Sequence, residues 1–188
     1  VGSTQQQVRR GWFSTPGRPG DRRLEDQLKG LDHLIERVPG KTVLDVGAAE
    51  GLIGMHLFDA GAKAVHGLEI VIEHVAVGNK LRGPRAVTLE VADANVYKPV
   101  REYDIVIALA LLHKLRDPSA ACRRLAAAAR ELVVLRLPPK FAPTIIDERS
   151  LNVPHHIDRV MESLGFVLGR VTTGHFDEWV GYWERVKP

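Results

Sequence analysis

Short apolar segments alternate with helical stretches along most of this chain, and that alternation constrains the fold more than any other feature. Thr42–Val46, Ala64–Ile70, Arg85–Val91, Tyr103–Ala110 and Leu132–Leu137 read as five strands. Tyr103–Ala110 is almost continuously apolar, as a strand covered on both faces must be. Helices are expected over Gly51–Ala60, Ile72–Leu81 and from Asp117 to Arg130, the last opened by an Asp–Pro pair suited to an N-cap and first turn. Strands separated by crossover helices pair in parallel. The expectation is an α/β three-layer sandwich: a mostly parallel seven-stranded sheet with helices on both faces. The last two strands, Phe166–Thr172 and Trp179–Glu184, form an antiparallel C-terminal hairpin after a helix over Val153–Leu164.

The segment before the first strand is different. Residues 1–21 are rich in Gln, Gly and Pro and read as a basic arm, with residues 22–188 as a single domain. From Arg22 to Val38, Leu24, Leu28, Leu31 and Leu34 fall at helical spacing, so one helix is expected there. The net charge of +3 is concentrated at this end. Residues 1–23 carry five arginines against Asp21, a net +4, and the other 21 basic and 22 acidic residues net −1. A body of that charge does not suit a general nucleic-acid-coating surface. Trp12 and Phe13 are large apolar groups in a polar arm, so part of it is expected to fold back onto the domain.

Composition removes several function classes. Cys122 is the only cysteine, so no disulfide or thiolate zinc cage can form within the chain, and it is expected to be buried and inert. The longest uncharged apolar run, Ile105–Leu112, is too short to cross a bilayer of roughly 30 Å as a helix. No secretory leader is visible, and a chain opening on Val1 is expected to lack its natural start. These features fit a reducing, cytoplasmic setting. The histidines show no metal spacing: His155 and His156, adjacent on a helix, diverge by about 100°.

In a sheet of this kind ligands bind beyond the carboxyl ends of the strands, where the strand order reverses. The turn there is Asp45-Val-Gly-Ala-Ala-Glu-Gly51. A phosphate-binding P-loop would need a lysine, and none lies between Lys41 and Lys63. A dinucleotide fingerprint starting at Gly47 would need glycine at position 49 and glycine or alanine at 52, where Ala49 and Leu52 stand. The acid-x-Gly-x-x-x-Gly pattern is matched by Asp45, Gly47 and Gly51. Glu50 reads as an acid of the following helix's first turn, favoured by the helix dipole.

With that turn, Gly-Leu-Glu-Ile70, Val-Ala-Asp-Ala94, the Tyr103–Leu115 segment and Glu162-Ser-Leu-Gly-Phe166, the chain resembles the class I S-adenosylmethionine-dependent methyltransferases over about Lys41 to Trp183. The resemblance implies a methyl transfer from S-adenosylmethionine to an O or N nucleophile, leaving S-adenosylhomocysteine. It implies a cofactor site on Asp45, Gly47, Ala48, Gly51, Glu69, Ile70, Asp93, Ala94 and Leu109. Glu69 would bond the ribose hydroxyls, one carboxylate serving two hydroxyls, Asp93 would meet the adenine amino group, and Ile70 would pack on the ring. Many relatives have a second glycine where Ala49 stands, so a slightly tighter turn is expected. His113, just after the fourth strand, is the candidate general base.

No Asn/Asp-Pro-Pro-Tyr/Phe sequence follows the fourth strand, which argues against methylation of nucleic-acid base amino groups, and no room is left for a target-recognition domain. A small-molecule acceptor is favoured, entering between the arm and the 138–156 loop, with Trp12, Phe13, Arg18, Arg22 and His155 as candidate lid or substrate residues. An RNA or protein acceptor held by the arginine arm, and a non-catalytic partner subunit retaining the fold, are the alternatives.

Overall fold

The computed structural model describes residues 10–138 and 153–186. Its main sheet has seven strands: β3 (Thr42–Val46), β4 (Ala64–Glu69), β5 (Val87–Val91), β6 (Tyr103–Leu109), β7 (Ala129–Leu137), β8 (Phe166–Thr173) and β9 (Trp179–Arg185). They lie in the order β5-β4-β3-β6-β7-β9-β8. The first five run parallel; β9 pairs antiparallel with β7 on one side and β8 on the other. Strand order reverses between β3 and β6, so the crevice expected from the sequence opens beyond Val46 and Leu109.

Each face of the sheet is covered by its own apolar layer. On one, Val106, Ala108, Val133 and Trp183 pack with Cys122 and Leu125 of α5 (Pro118–Ala126) and Met161 of α6 (Val153–Ser163). On the other, Ile105, Ile107, Val134 and Tyr182 meet Leu34 of α2 (Asp32–Arg37) and Ile53 and Leu57 of α3 (Leu52–Asp59). Alternation along β9 sends Tyr182 and Trp183 to opposite layers, both fully buried. Cys122 is buried as expected, and burial pushes its thiol up to about 12, which removes nucleophilic character at neutral pH.

The helix expected over Arg22–Val38 is two shorter ones, α1 (Leu24–Gln27) and α2. The break is at Gly30, whose φ of 78° is left-handed and whose carbonyl accepts from the Thr172 and Tyr182 hydroxyls of the distant hairpin. A β-carbon there would sit 2.7 Å from the Thr173 carbonyl oxygen. Tertiary contacts therefore overrule the leucine periodicity. Just before the break, fully buried Arg136 at the end of β7 donates to the Gln27 side chain at 3.0 Å and to the carbonyls of Gln27 and Lys29. The helix expected to reach Arg130 ends at Ala126, because β7 starts at Ala129 to pair with Tyr103. Most of the 138–152 loop lies outside the described residues, and so does the side chain of His155 within α6.

The arm does fold back. β1 (Gly11–Phe13) and β2 (Gly20–Arg22) make a short parallel ribbon, and Phe13, 2% exposed, joins the layer of Leu31, Leu34 and Ile53. Phe13→Ala is expected to lower the unfolding free energy by about 3 kcal/mol in a urea titration. A loss below roughly 0.5 kcal/mol, the size of an ordinary surface change, would contradict its place in the core.

Candidate functional site

The turn after β3 brings three carboxylates together out of solvent: Asp45 at 3%, Glu50 at 0% and Glu69 at 9% exposure. Gly47 (φ 81°) and Gly51 (φ 74°) both adopt left-handed backbone, as the turn requires. A β-carbon on Gly47 would press on Leu111 at 3.3 Å. Ala49 is left-handed too, at φ 50°, which gives a physical reason for glycine to suit this position.

The three carboxylates are satisfied in different ways. Glu69, at the end of β4, accepts from the Ala49 amide through Oε2 and from the Val71 amide through Oε1, each at 2.9 Å. Each oxygen keeps a further lone pair. Asp45 has a buried Oδ2 with no hydrogen-bond partner among the described residues. Burial, reinforced by the nearby charge of Glu69, pushes its carboxyl up to about 7.

Glu50 is a correction to the sequence reading. It precedes α3 and does not act as a first-turn acid: its Oε1 and Oε2 accept from the amides of Trp12 (3.0 Å) and Phe13 (2.9 Å). Arg18 Nη1 pairs with it at 3.1 Å, and His74 Nε2 approaches to 3.6 Å. The arm is thus held on the turn by one buried anion. Nothing local in the sequence marks this, since the arm partners lie 32 to 38 residues away.

A pocket of about 250 Å³ opens beside these groups. Asp45, Gly47, Ala48, Ala49 and Glu69 form its floor, with Ile70, Val71 and His74 on one flank and Leu109, Ala110, Leu111 and Lys114 on another. Trp12, Phe13 and Gln27 complete the wall. Of the expected cofactor residues, Asp45, Gly47, Ala48, Glu69, Ile70 and Leu109 meet here, and Gly51 caps the turn as the residue preceding α3. Ile70 is 59% exposed, an open apolar surface rather than core.

Asp93 and Ala94 do not line this pocket. Asp93 Oδ1 accepts from the backbone and side chain of Asn95, both at 2.8 Å, which holds its carboxyl below the usual range. Ala94 is buried in the other apolar layer. Nor is His113 in the wall. It sits in a single 3-10 turn, Leu112–Lys114, with a buried Nδ1 that lacks a partner among the described residues, and burial pushes its imidazole pKa down. The same turn presents Lys114 to the pocket instead. Of the arm residues, Trp12 and Phe13 line the pocket, Arg18 fastens to Glu50, and Arg22 lies against Trp12 with its Cζ 5.1 Å from the ring centroid. Among the described residues no group of His, Cys, Asp and Glu side chains could hold a metal, and no helix is long and apolar enough to cross a membrane.

A family model of the methyltransferase domain matches residues 44–132, from β3 into β7. No curated protein matches the chain in sequence. Among solved structures, magnesium protoporphyrin IX methyltransferase from Synechocystis PCC 6803 with bound SAM is similar at 23% identity and a TM-score of 0.66, over 83% of this chain and 78% of that one. A SAM-dependent methyltransferase from Aquifex aeolicus is similar at 20% identity and 0.68, over 88% and 95%. The pyocyanin biosynthetic protein PhzM is similar at 15% and 0.62, over 87% of this chain and 55% of that one. Residues 44–132 thus match a methyltransferase domain, and the chain shares the fold of these solved methyltransferases.

Two outcomes are expected of the buried carboxylates. The raised Asp45 pKa means that the unliganded protein favours the protonated acid. Its contribution is full below about pH 4 and is lost as pH rises toward 7. Unliganded Asp45→Asn should therefore gain stability over wild type above pH 7, the gap shrinking toward pH 4, in thermal melts across that range. Removing Glu50 strands two amides and Arg18, so Glu50→Ala should cost roughly 3–5 kcal/mol, as breaking a buried pair does. Trypsin should then cut faster after Arg22 and Arg23; wild-type resistance would contradict the anchoring.

Proposed function

We propose that this chain transfers a methyl group from S-adenosylmethionine to an O or N nucleophile of a small-molecule acceptor. The observation that carries the cofactor site is the orphaned Asp45 oxygen beside Glu69, next to a turn that left-handed Gly47 and Gly51 allow to form. A buried carboxylate without a donor suits a ligand ammonium group, such as the one on the methionine part of the cofactor. The spare lone pairs of Glu69 suit a vicinal diol, and exposed Ile70 suits an adenine face. Asp45, Gly47, Ala48, Gly51, Glu69, Ile70 and Leu109 would hold the cofactor, with Asp93 and Ala94 outside the pocket wall.

When bound, S-adenosylmethionine supplies a methyl group on a sulfonium, already a good leaving group. The chain's own task is then to orient the two reactants and exclude water. Trp12 and Phe13 serve this by closing the wall, held there by Glu50. A proton acceptor is needed only for an acceptor that arrives protonated, and the reading gives that role to no residue, since His113 is not in the wall. A small acceptor is supported by the pocket's volume of about 250 Å³ and by two structural neighbours, one named for magnesium protoporphyrin IX and one for pyocyanin biosynthesis.

Glu69→Ala and Gly47→Val should each abolish calorimetrically detectable binding of S-adenosylhomocysteine, and wild-type affinity in both would refute the assignment. An ammonium beside Asp45 also draws that carboxyl into its ionised form. At pH 6.5, below the free-state value of about 7, binding should release roughly three-quarters of a proton, read from the dependence of the binding heat on buffer ionisation. Asp45→Asn should remove that dependence.

A further inference from the structure

The mouth of the pocket carries two cations without an acidic partner. Among the described residues, neither Arg22 nor Lys114 has a carboxylate within 4 Å, whereas the charged groups around them are paired. Asp26 lies 3.3 Å from Lys29 and 3.8 Å from His175. Glu178, close enough to feel both Arg22 and Lys114, is bound to Arg136 at 3.5 Å. The two free cations flank one aromatic ring: Arg22 Cζ is 5.1 Å and Lys114 Nζ 4.7 Å from the centroid of Trp12. The ring holds both in place at the pocket's edge.

A second observation comes from the turn between β8 and β9. Phe176 and Asp177 are consecutive non-glycine residues with left-handed φ of 58° and 57°, a conformation that costs on the order of 1–3 kcal/mol per residue. The result is a phenyl ring 63% exposed, with Arg22 Cζ 5.5 Å from its centroid and His175 stacked at 3.9 Å. Covering the Phe176 ring would remove that exposure, and the strained turn is what holds the apolar face open.

Resting on the methyltransferase reading, we propose that this mouth is the acceptor site and that it takes a flat aromatic acid, its carboxylate between Arg22 and Lys114 and its ring against Phe176. Arg22 acts on Lys114 as a like charge, so a carboxylate offsets their repulsion and forms charge-assisted hydrogen bonds. A polyanion suits the site poorly: two cations offer no track for successive phosphates, and Asp26 and Glu178 stand beside them.

The test uses the full chain loaded with S-adenosylhomocysteine, titrated calorimetrically with 2-naphthoate and with 2-naphthamide. The acid should bind about tenfold tighter than the amide, as the loss of charge-assisted hydrogen bonds implies. Arg22→Ala and Lys114→Ala should each weaken naphthoate about tenfold with little effect on the amide, while Phe176→Ala weakens both ligands. Arg22→Ala and Phe176→Ala, neither of them in the pocket lining, should keep wild-type affinity for S-adenosylhomocysteine. Equal binding of acid and amide, no binding of either, or unchanged naphthoate affinity in the arginine and lysine variants would overturn the proposal while leaving the cofactor site standing. A 20-nucleotide RNA that binds with a steep salt dependence lost in those variants would overturn it in favour of a nucleic-acid acceptor. Failure of S-adenosylhomocysteine itself to bind wild type is a separate result that removes the methyltransferase reading and this inference with it.

Discussion

Glu50 carries a carboxylate in a place without solvent, surrounded by the small residues of a turn. An unpaired charge there would cost several kcal/mol, so donors must be supplied from elsewhere in the chain. The arm supplies them. Two successive amides and one guanidinium converge on Glu50, and this draws Trp12 and Phe13 over the same turn that presents Asp45 and Glu69. The arm's path and its share of the pocket wall both follow from satisfying one anion.

Much of this was legible beforehand because the signals were local. The strand–helix alternation identified the main sheet, and the helix expected over Ile72–Leu81 spans those residues. Asp45, Gly47 and Glu69 were readable because a strand end and a turn are determined by a few neighbouring residues. Two of the misses share one cause, a partner distant in sequence. Gly30 breaks a leucine-spaced helix because Tyr182 and Thr172 claim its carbonyl. Glu50 looked like a helix-dipole acid because nothing near it names Trp12. His113 and Lys114 are adjacent, and only the orientation of one 3-10 turn decides which of them reaches the pocket.

The two halves of the pocket draw on different parts of the chain. The floor comes from the parallel strands, whose ends are fixed by the sheet. The mouth comes from the arm, a single helical turn and the hairpin, three segments brought together by side-chain contacts with Arg22, Lys114 and Arg136. Such an arrangement lets a rigid cofactor floor persist while the mouth changes with the acceptor, since loop residues can vary without disturbing a sheet.

The position of β9 has a consequence for how the molecule assembles. It follows all the other strands in the chain yet lies between β7 and β8, so the sheet stays incomplete until this strand inserts. Tyr182 on β9 reaches back 152 residues to Gly30. Closing so long a loop has an entropic cost that only late contacts offset, which slows folding relative to a fold with local pairings. The Gly30 carbonyl and the Arg136–Glu178 pair gain their partners in that last step. The floor of the pocket draws on β3, β4 and β6 and its mouth on the hairpin, so only the mouth depends on this last strand.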